Sequence, residues 1–184
     1  MKKLLAGLAA VLLLPWLALA SASSMDPAGA GVLFSSDGGD SFMAEVLSQP
    51  RIRLLPASRR DLEVGLVDPR PLAVLVFLAQ RHELAGVGPF VSGHDYFVRD
   101  PVTRRPTRRP SNHAFGRAAD IGAVDGAAVT PSNRSAFDAV REVLSLPDDL
   151  RPDEVGAPWA LRVGAAASFT DAAHQDHLHL GWNL

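Results

Sequence analysis

The 184-residue chain is long enough for one ordinary domain, and its 47% hydrophobic and 21% charged residues are the composition of a folded protein, not of a disordered one. A formal net charge of −2 carries no nucleic-acid signature; the two lysines, Lys2 and Lys3, stand at the very start, leaving sixteen arginines against twenty acidic residues. The sequence has no cysteine, which excludes disulfides, thiolate metal sites, iron–sulfur clusters and cysteine nucleophiles, so a metal site must be built from His, Asp or Glu.

In chain order, Lys2-Lys3, the apolar run Leu4 to Ala20 and the small residues through Ser23 follow the pattern of a secretory signal peptide. Ala18-Leu19-Ala20 and Ala20-Ser21-Ala22 are its cleavage candidates. Residues 1–24 are expected to be removed, leaving a secreted, extracytoplasmic protein with no membrane attachment. Residues 25–40, rich in Gly, Ser and Asp, are expected to be a flexible lead-in, and residues 41–184 a single domain. In that domain Ser41–Leu47 suggests a short helix and Ile52–Leu55 a short strand. Pro69–Glu83, with Asp68 as its cap and apolar residues almost all round, predicts a buried helix. Pro89–Gly93 reads as a strand. Arg99–Pro110, with five arginines and three prolines, reads as a loop. Arg117–Val124 predicts a strand that turns at Asp125-Gly126 into Ala127–Val129. Arg134–Leu146 predicts a helix capped by Ser132 or Asn133, Pro147–Pro158 a loop, and Asp176–Trp182 a closing strand. The sum is an α+β domain with a small, mainly antiparallel sheet.

Three of the six histidines, His174, His177 and His179, fall within six residues near the C-terminus. His177 and His179, two apart on a strand, share a face, and Asp176 joins them only if it sits in the loop before the strand. A second cluster spans Ser111 to Asp120. His113 and Asp120 are seven apart, an odd offset that a continuous strand would set on opposite faces, and Gly116 permits the turn that reunites them. His113, Asp120 and one C-terminal histidine then form an N/N/O set suited to catalytic zinc with an open fourth position, and a nearby carboxylate could act as general base. A plainer reading leaves the same residues as a structural His–Asp pair and a surface H-x-H.

The stretch Ser111-x-His113-x-x-Gly116-x-Ala118-x-Asp120 resembles the S-x-H-x-x-G-x-A-x-D motif of the D-alanyl-D-alanine carboxypeptidase and dipeptidase family of zinc peptidases, peptidase family M15, which is related to the hedgehog signalling domain. Asp176-His177-Leu178-His179 is similar to that family's second motif. The resemblance implies a hedgehog-like D,D-peptidase fold, with His113, Asp120 and His179 as ligands of Zn2+. It implies Asp176 as the catalytic carboxylate that activates zinc-bound water, and His177 as its partner at the transition state. The implied substrates are peptidoglycan stem peptides, cut by D,D-carboxypeptidase or L,D-endopeptidase chemistry.

One position departs from the family pattern. Members carry S-G-Y/F-R on the strand before the first motif; here Ser92-Gly93-His94-Asp95 puts an acid where the resemblance implies an arginine. Arg99, Arg104, Arg105, Arg108 and Arg109 are within the loop that could reach back, and Arg117 lies inside the motif, so Arg117, Ser111 and His94 are the candidate substrate contacts. His94 reads slightly better as a partner of Asp95. The departure also defines the alternative, a catalytically inactive, zinc-stabilised binding module of the same fold. A third reading is a metal-free domain that holds polyanions through the arginine loop. His174 reads as a loop residue shaping the site, His82 as a partner of a helix end, Trp159 and Trp182 as core or cleft wall, and Phe115 and Phe169 as packing or groove residues.

Overall fold

The computed structural model describes residues 36–100 and 102–183, so the expected signal peptide and the lead-in up to residue 35 lie outside the described residues. Strands β1 (Ile52–Leu54), β2 (Leu84–Val87), β5 (Ala118–Val124), β10 (Leu178–Gly181) and β7 (Glu154–Gly156) form the main sheet in that spatial order, and β6 (Ala127–Ala128) also pairs with β5. Only the β1–β2 pairing is parallel. Helices α1 (Ser36–Ser48), α2 (Pro56–Glu63), α3 (Pro69–Ala79) and α4 (Arg134–Leu144) complete an α+β fold with a mainly antiparallel sheet. Two small hairpins, β3 (Phe97–Arg99) with β4 (Pro106–Pro110) and β8 (Arg162–Val163) with β9 (Ala166–Ala167), stand apart from it. No described helix is long and apolar enough to cross a membrane.

Side-chain alternation gives strands β5, β10 and β7 two different faces. Ala119, Ile121, Val155, Leu178 and Leu180 are buried and join Val46 of α1, Leu72, Leu75 and Leu78 of α3, and Val140 and Val143 of α4 in one core. The other face carries Ala118 and Asp120 of β5, His179 and Gly181 of β10, and Glu154 and Gly156 of β7, which are in register across the strands. Caps fix the helices beside this sheet. The Asp68 carboxylate accepts from the Arg70 amide at the start of α3. Asn133 Oδ1 accepts from the Ala136 amide at the start of α4, while its Nδ2 donates to the Ala127 and Ala128 carbonyls and ties the helix to β6.

Several expectations are corrected. α1 begins at Ser36, so it takes in the last five residues of the expected lead-in. α2 was not foreseen. α3 ends at Ala79 because the β5–β6 turn captures the chain beyond it: Asp125 accepts from the Glu83 amide at 2.8 Å and pairs with His82 Nδ1 at 2.9 Å. His82 therefore partners a carboxylate of that turn, and Leu84–Val87 is a strand instead of the helix's exit. Pro89–Gly93 is a loop, not a strand; the Val91 and Ser92 amides and the Ser92 hydroxyl all donate to the buried Asp61 of α2. The arginine-rich stretch is a β-hairpin, with Phe97 opposite Pro110 and Arg99 opposite Pro106. Asp100 accepts from the Val102 and Thr103 amides to make its turn, and Thr107 Oγ1 donates to the Val98 carbonyl. Pro147–Pro158 is not all loop either, since it contains β7.

Candidate functional site

The first motif folds as a cap, a turn and a strand. Ser111, buried, accepts from the His113 amide at 3.3 Å and starts the short 3₁₀ helix Asn112–Phe115. Gly116 ends that helix with φ of 67°. A Cβ at Gly116 would stand 1.9 Å from the Leu66 carbonyl oxygen, so both the conformation and the contact require glycine. The turn then hands the chain to β5 and brings Asp120 back beneath His113. Ala118, two residues before Asp120 on the same face, lies opposite Gly181 of β10.

Asp120 and His179 are direct cross-strand partners. Asp120 Oδ1 lies 2.9 Å from His179 Nδ1 and 3.3 Å from His113 Nε2, and the two ring nitrogens are 3.2 Å apart. All three residues are buried, and this group can hold a metal ion. Their outer contacts orient them. His113 Nδ1 donates to the Phe90 carbonyl at 3.1 Å, which leaves Nε2 as the bare nitrogen facing the group. His179 turns Nε2 away, toward Glu154 Oε2 at 3.9 Å, and Glu154 is itself held by Arg109 and by Asn112. Gly181 makes room for this ring, since a Cβ there would lie 2.9 Å from His179 Nε2.

The electrostatics follow from these contacts. Burial works against the charged form, but the close approach of His113 and the hydrogen bond from His179 hold the Asp120 carboxyl far below the usual range. Burial likewise opposes charge on His179, yet its hydrogen bond to Asp120 and the Glu154 carboxylate 3.9 Å away raise it to about 9. Glu154 is lowered first by the facing His179 ring and then by Arg109, against its own burial.

Four further histidine-region residues surround the group. His177 shares the face of His179, with Nε2 4.0 Å from Asp120 Oδ2 and Nδ1 2.8 Å from Asp176 Oδ1. Asp176 lies in the loop ahead of β10, its side chain largely exposed, so it meets the group through His177. His174 packs its ring 5.5 Å from His179 and 5.2 Å from His177, with Nδ1 on Asp171 at 2.7 Å. It occupies the space above Gly156, the residue opposite His179 on β7, where a Cβ would come within 2.6 Å of the ring. His94 stacks on His113 with ring centroids 4.0 Å apart. Burial keeps both His94 and His174 below the usual histidine range.

His94 does not partner the Asp95 carboxylate: its Nδ1 meets the Asp95 carbonyl oxygen, and that carboxylate pairs with Arg99. Arg99 is thus the guanidinium beside position 95. Arg117 makes no contact with the His–Asp–His group and lies over the Phe115 ring at 4.8 Å. Trp182 is buried and donates to the Leu150 carbonyl, Trp159 is partly buried against Phe137, and Phe169 meets His174 edge-on. Sequence reasoning missed Glu154, Asp171 and the Phe90 carbonyl. A Glu-Val-Gly alternation inside a proline-rich segment was the one available signal for Glu154. Comparison with protein-family models, with curated proteins and with solved structures finds no match.

Proposed function

We propose that this chain is an extracytoplasmic zinc peptidase of the D-alanyl-D-alanine carboxypeptidase and dipeptidase type, acting on peptidoglycan stem peptides. The observation that carries the proposal is the triangle of donor atoms from His113, Asp120 and His179, with sides of 2.9, 3.2 and 3.3 Å. Donors bonded at about 2.0–2.1 Å to one tetrahedral ion stand roughly 3.3 Å apart, and a triangle of this size is compatible with zinc. Two imidazoles and a carboxylate are also the donor types of catalytic zinc sites, and the two motifs agree with the family's pattern.

A zinc ion held by these residues supplies Lewis acidity toward a peptide carbonyl and a nucleophile at neutral pH. The remaining work falls to the chain. His177 accepts and returns a proton at Nε2, the atom that faces the group, and can donate to the developing oxyanion. Asp176 accepts from His177 Nδ1 and so fixes which nitrogen is bare, which refines its expected role from direct base to the carboxylate that orients the base. His94 and His174, both kept neutral by burial, wall the site without adding charge.

The test is digestion of purified peptidoglycan by the zinc-loaded protein, with released fragments identified by mass spectrometry. Cleaved stem peptides are expected, and their masses name the bond. Asp176→Ala should lower turnover by about 10²–10⁴-fold while zinc stays bound; undiminished cleavage by that variant removes Asp176 from the mechanism. The second reading, an inactive zinc-stabilised binding module, is favoured by one observation: Asp95, paired with Arg99, stands where the family has an arginine. A folded, zinc-loaded protein that releases no fragment supports that module and refutes the peptidase.

A further inference from the structure

On the side of His179 away from Asp120, a cavity of about 220 Å³ opens between the end of β4, the 3₁₀ helix and β7. Arg109, Asn112, Phe115, Arg117, Glu154 and Asn183 line it. Arg117 is the residue that demands an explanation. As a residue it is only 9% exposed; among the described residues its guanidinium has no ion pair and no hydrogen bond, and its nitrogens keep access to solvent at the cavity. A guanidinium packed against protein on most of its surface, with free N–H groups at a cavity, is placed to take an anion.

The neighbouring acids are otherwise engaged. Burial pushes the Asp68 carboxyl up, the Arg70 hydrogen bonds hold it down, and Arg117 is near enough to add to that, but Arg70 occupies both Asp68 oxygens. Glu154 accepts from Asn112 at 3.2 Å and pairs with Arg109 at 3.3 Å. The cavity thus holds two guanidinium groups and one carboxylate that is already satisfied, a net positive lining. Arg117 lies over the Phe115 ring, and a guanidinium stacked in this way keeps its in-plane N–H groups available for a planar or tetrahedral oxyanion.

We propose that this cavity is a binding site for a small oxyanion, a carboxylate or a phosphate, held by Arg117 with Arg109 beside it. A volume of 220 Å³ corresponds to roughly seven waters at about 30 Å³ each, enough for one such group on a short stem. The site is separate from the His–Asp–His group and does not depend on the peptidase proposal.

The experiment is an NMR titration of the metal-free protein with sodium acetate and, separately, inorganic phosphate at constant ionic strength, following the arginine Nε–H and asparagine side-chain signals. Saturable shifts centred on Arg117, Arg109, Asn112 and Asn183 are expected. Saturation by acetate alone assigns a carboxylate site, by phosphate alone a phosphate site, and by both a general oxyanion site. Arg117→Gln should weaken binding about tenfold or more, the worth of a charge-assisted hydrogen bond. Arg109→Gln, at an exposed position that keeps the fold even if the buried variant does not, should weaken it several-fold. No saturable shift with either anion overturns the proposal. So do shifts centred elsewhere, or binding by Arg109→Gln as tight as that of the unaltered protein.

Discussion

Two histidine–carboxylate clusters in this molecule draw on the same residue types and do different things. In one, His113, Asp120 and His179 aim three donor atoms at a common point. In the other, His82 lies between two carboxylates on opposite sides of its ring, with Nδ1 2.9 Å from Asp125 and Nε2 3.7 Å from Glu142. His82 Nε2 and Glu142 Oε2 are both buried without a hydrogen-bond partner. The first cluster sits on paired strands, where register places Asp120 and His179 opposite each other. The second joins three element ends, the exit of α3, the β5–β6 turn and a side chain of α4. Converging donors can hold an ion; a ring flanked on both sides staples chain segments together.

The largest effect that tests this contrast is on metal affinity. Asp120→Ala should weaken zinc binding by more than the ~100-fold that loss of an outer partner brings, whereas His82→Ala should leave it unchanged. Competition titration with a chromophoric chelator measures both, and equal affinities in the two variants would erase the distinction between the clusters.

Next comes packing. Gly156→Ala puts a methyl group into the space of the His174 ring and should cost about 1–3 kcal/mol in denaturant unfolding, as overpacking does elsewhere. A neutral result would mean that His174 leaves its place over β7 without cost.

The pH dependence of the metal-free protein is of similar size. His179 is raised from 6.5 to about 9, so its stabilising contribution is fully present below about pH 6.5 and is lost as the pH climbs through about 9. Unfolding measured across that range should show a decline of order 1–3 kcal/mol, and Asp120→Asn should flatten it. Asp120, lowered in the folded state, adds stability above its ordinary value of 3.8 and loses it only well into acid. The smallest expected effect is that of Glu142→Gln, whose amide can donate to His82 Nε2; stability should change by less than about 1 kcal/mol, and zinc affinity not at all.

The site was more legible in the sequence than the sheet that carries it. Ser111, Gly116 and Ala118 announce themselves because each has one physical duty: to cap, to take a positive φ, and to stay small opposite Gly181. The β5–β6 turn was readable from Asp125-Gly126, where both residues adopt positive φ. What hid was structure whose cause lies far along the chain. β2 continued the apolar run of α3, and only Asp125, more than forty residues on, separates them. The Pro89–Gly93 loop gives its amides to Asp61, some thirty residues earlier, so no local pattern reveals that they are unavailable to a strand. β3 and β4 are masked by arginines and prolines that suit an exposed hairpin. Glu154 belongs to a three-residue strand whose partner, β10, lies at the far end of the chain.

The cross-strand pairing of Asp120 with His179 bears on the order of assembly. Backbone hydrogen bonds to β5 on one side and β7 on the other hold His179 in place, and Ser111, Gly116 and the Phe90 carbonyl hold His113, so contacts within the fold, none of them through an ion, set the donors side by side. The core, not the ion, carries the ordering of the chain. This is the reverse of a zinc finger, which remains unfolded until loaded. Uptake should therefore proceed as a simple bimolecular encounter with no folding phase, and the ion should be removable and replaceable with the protein folded throughout.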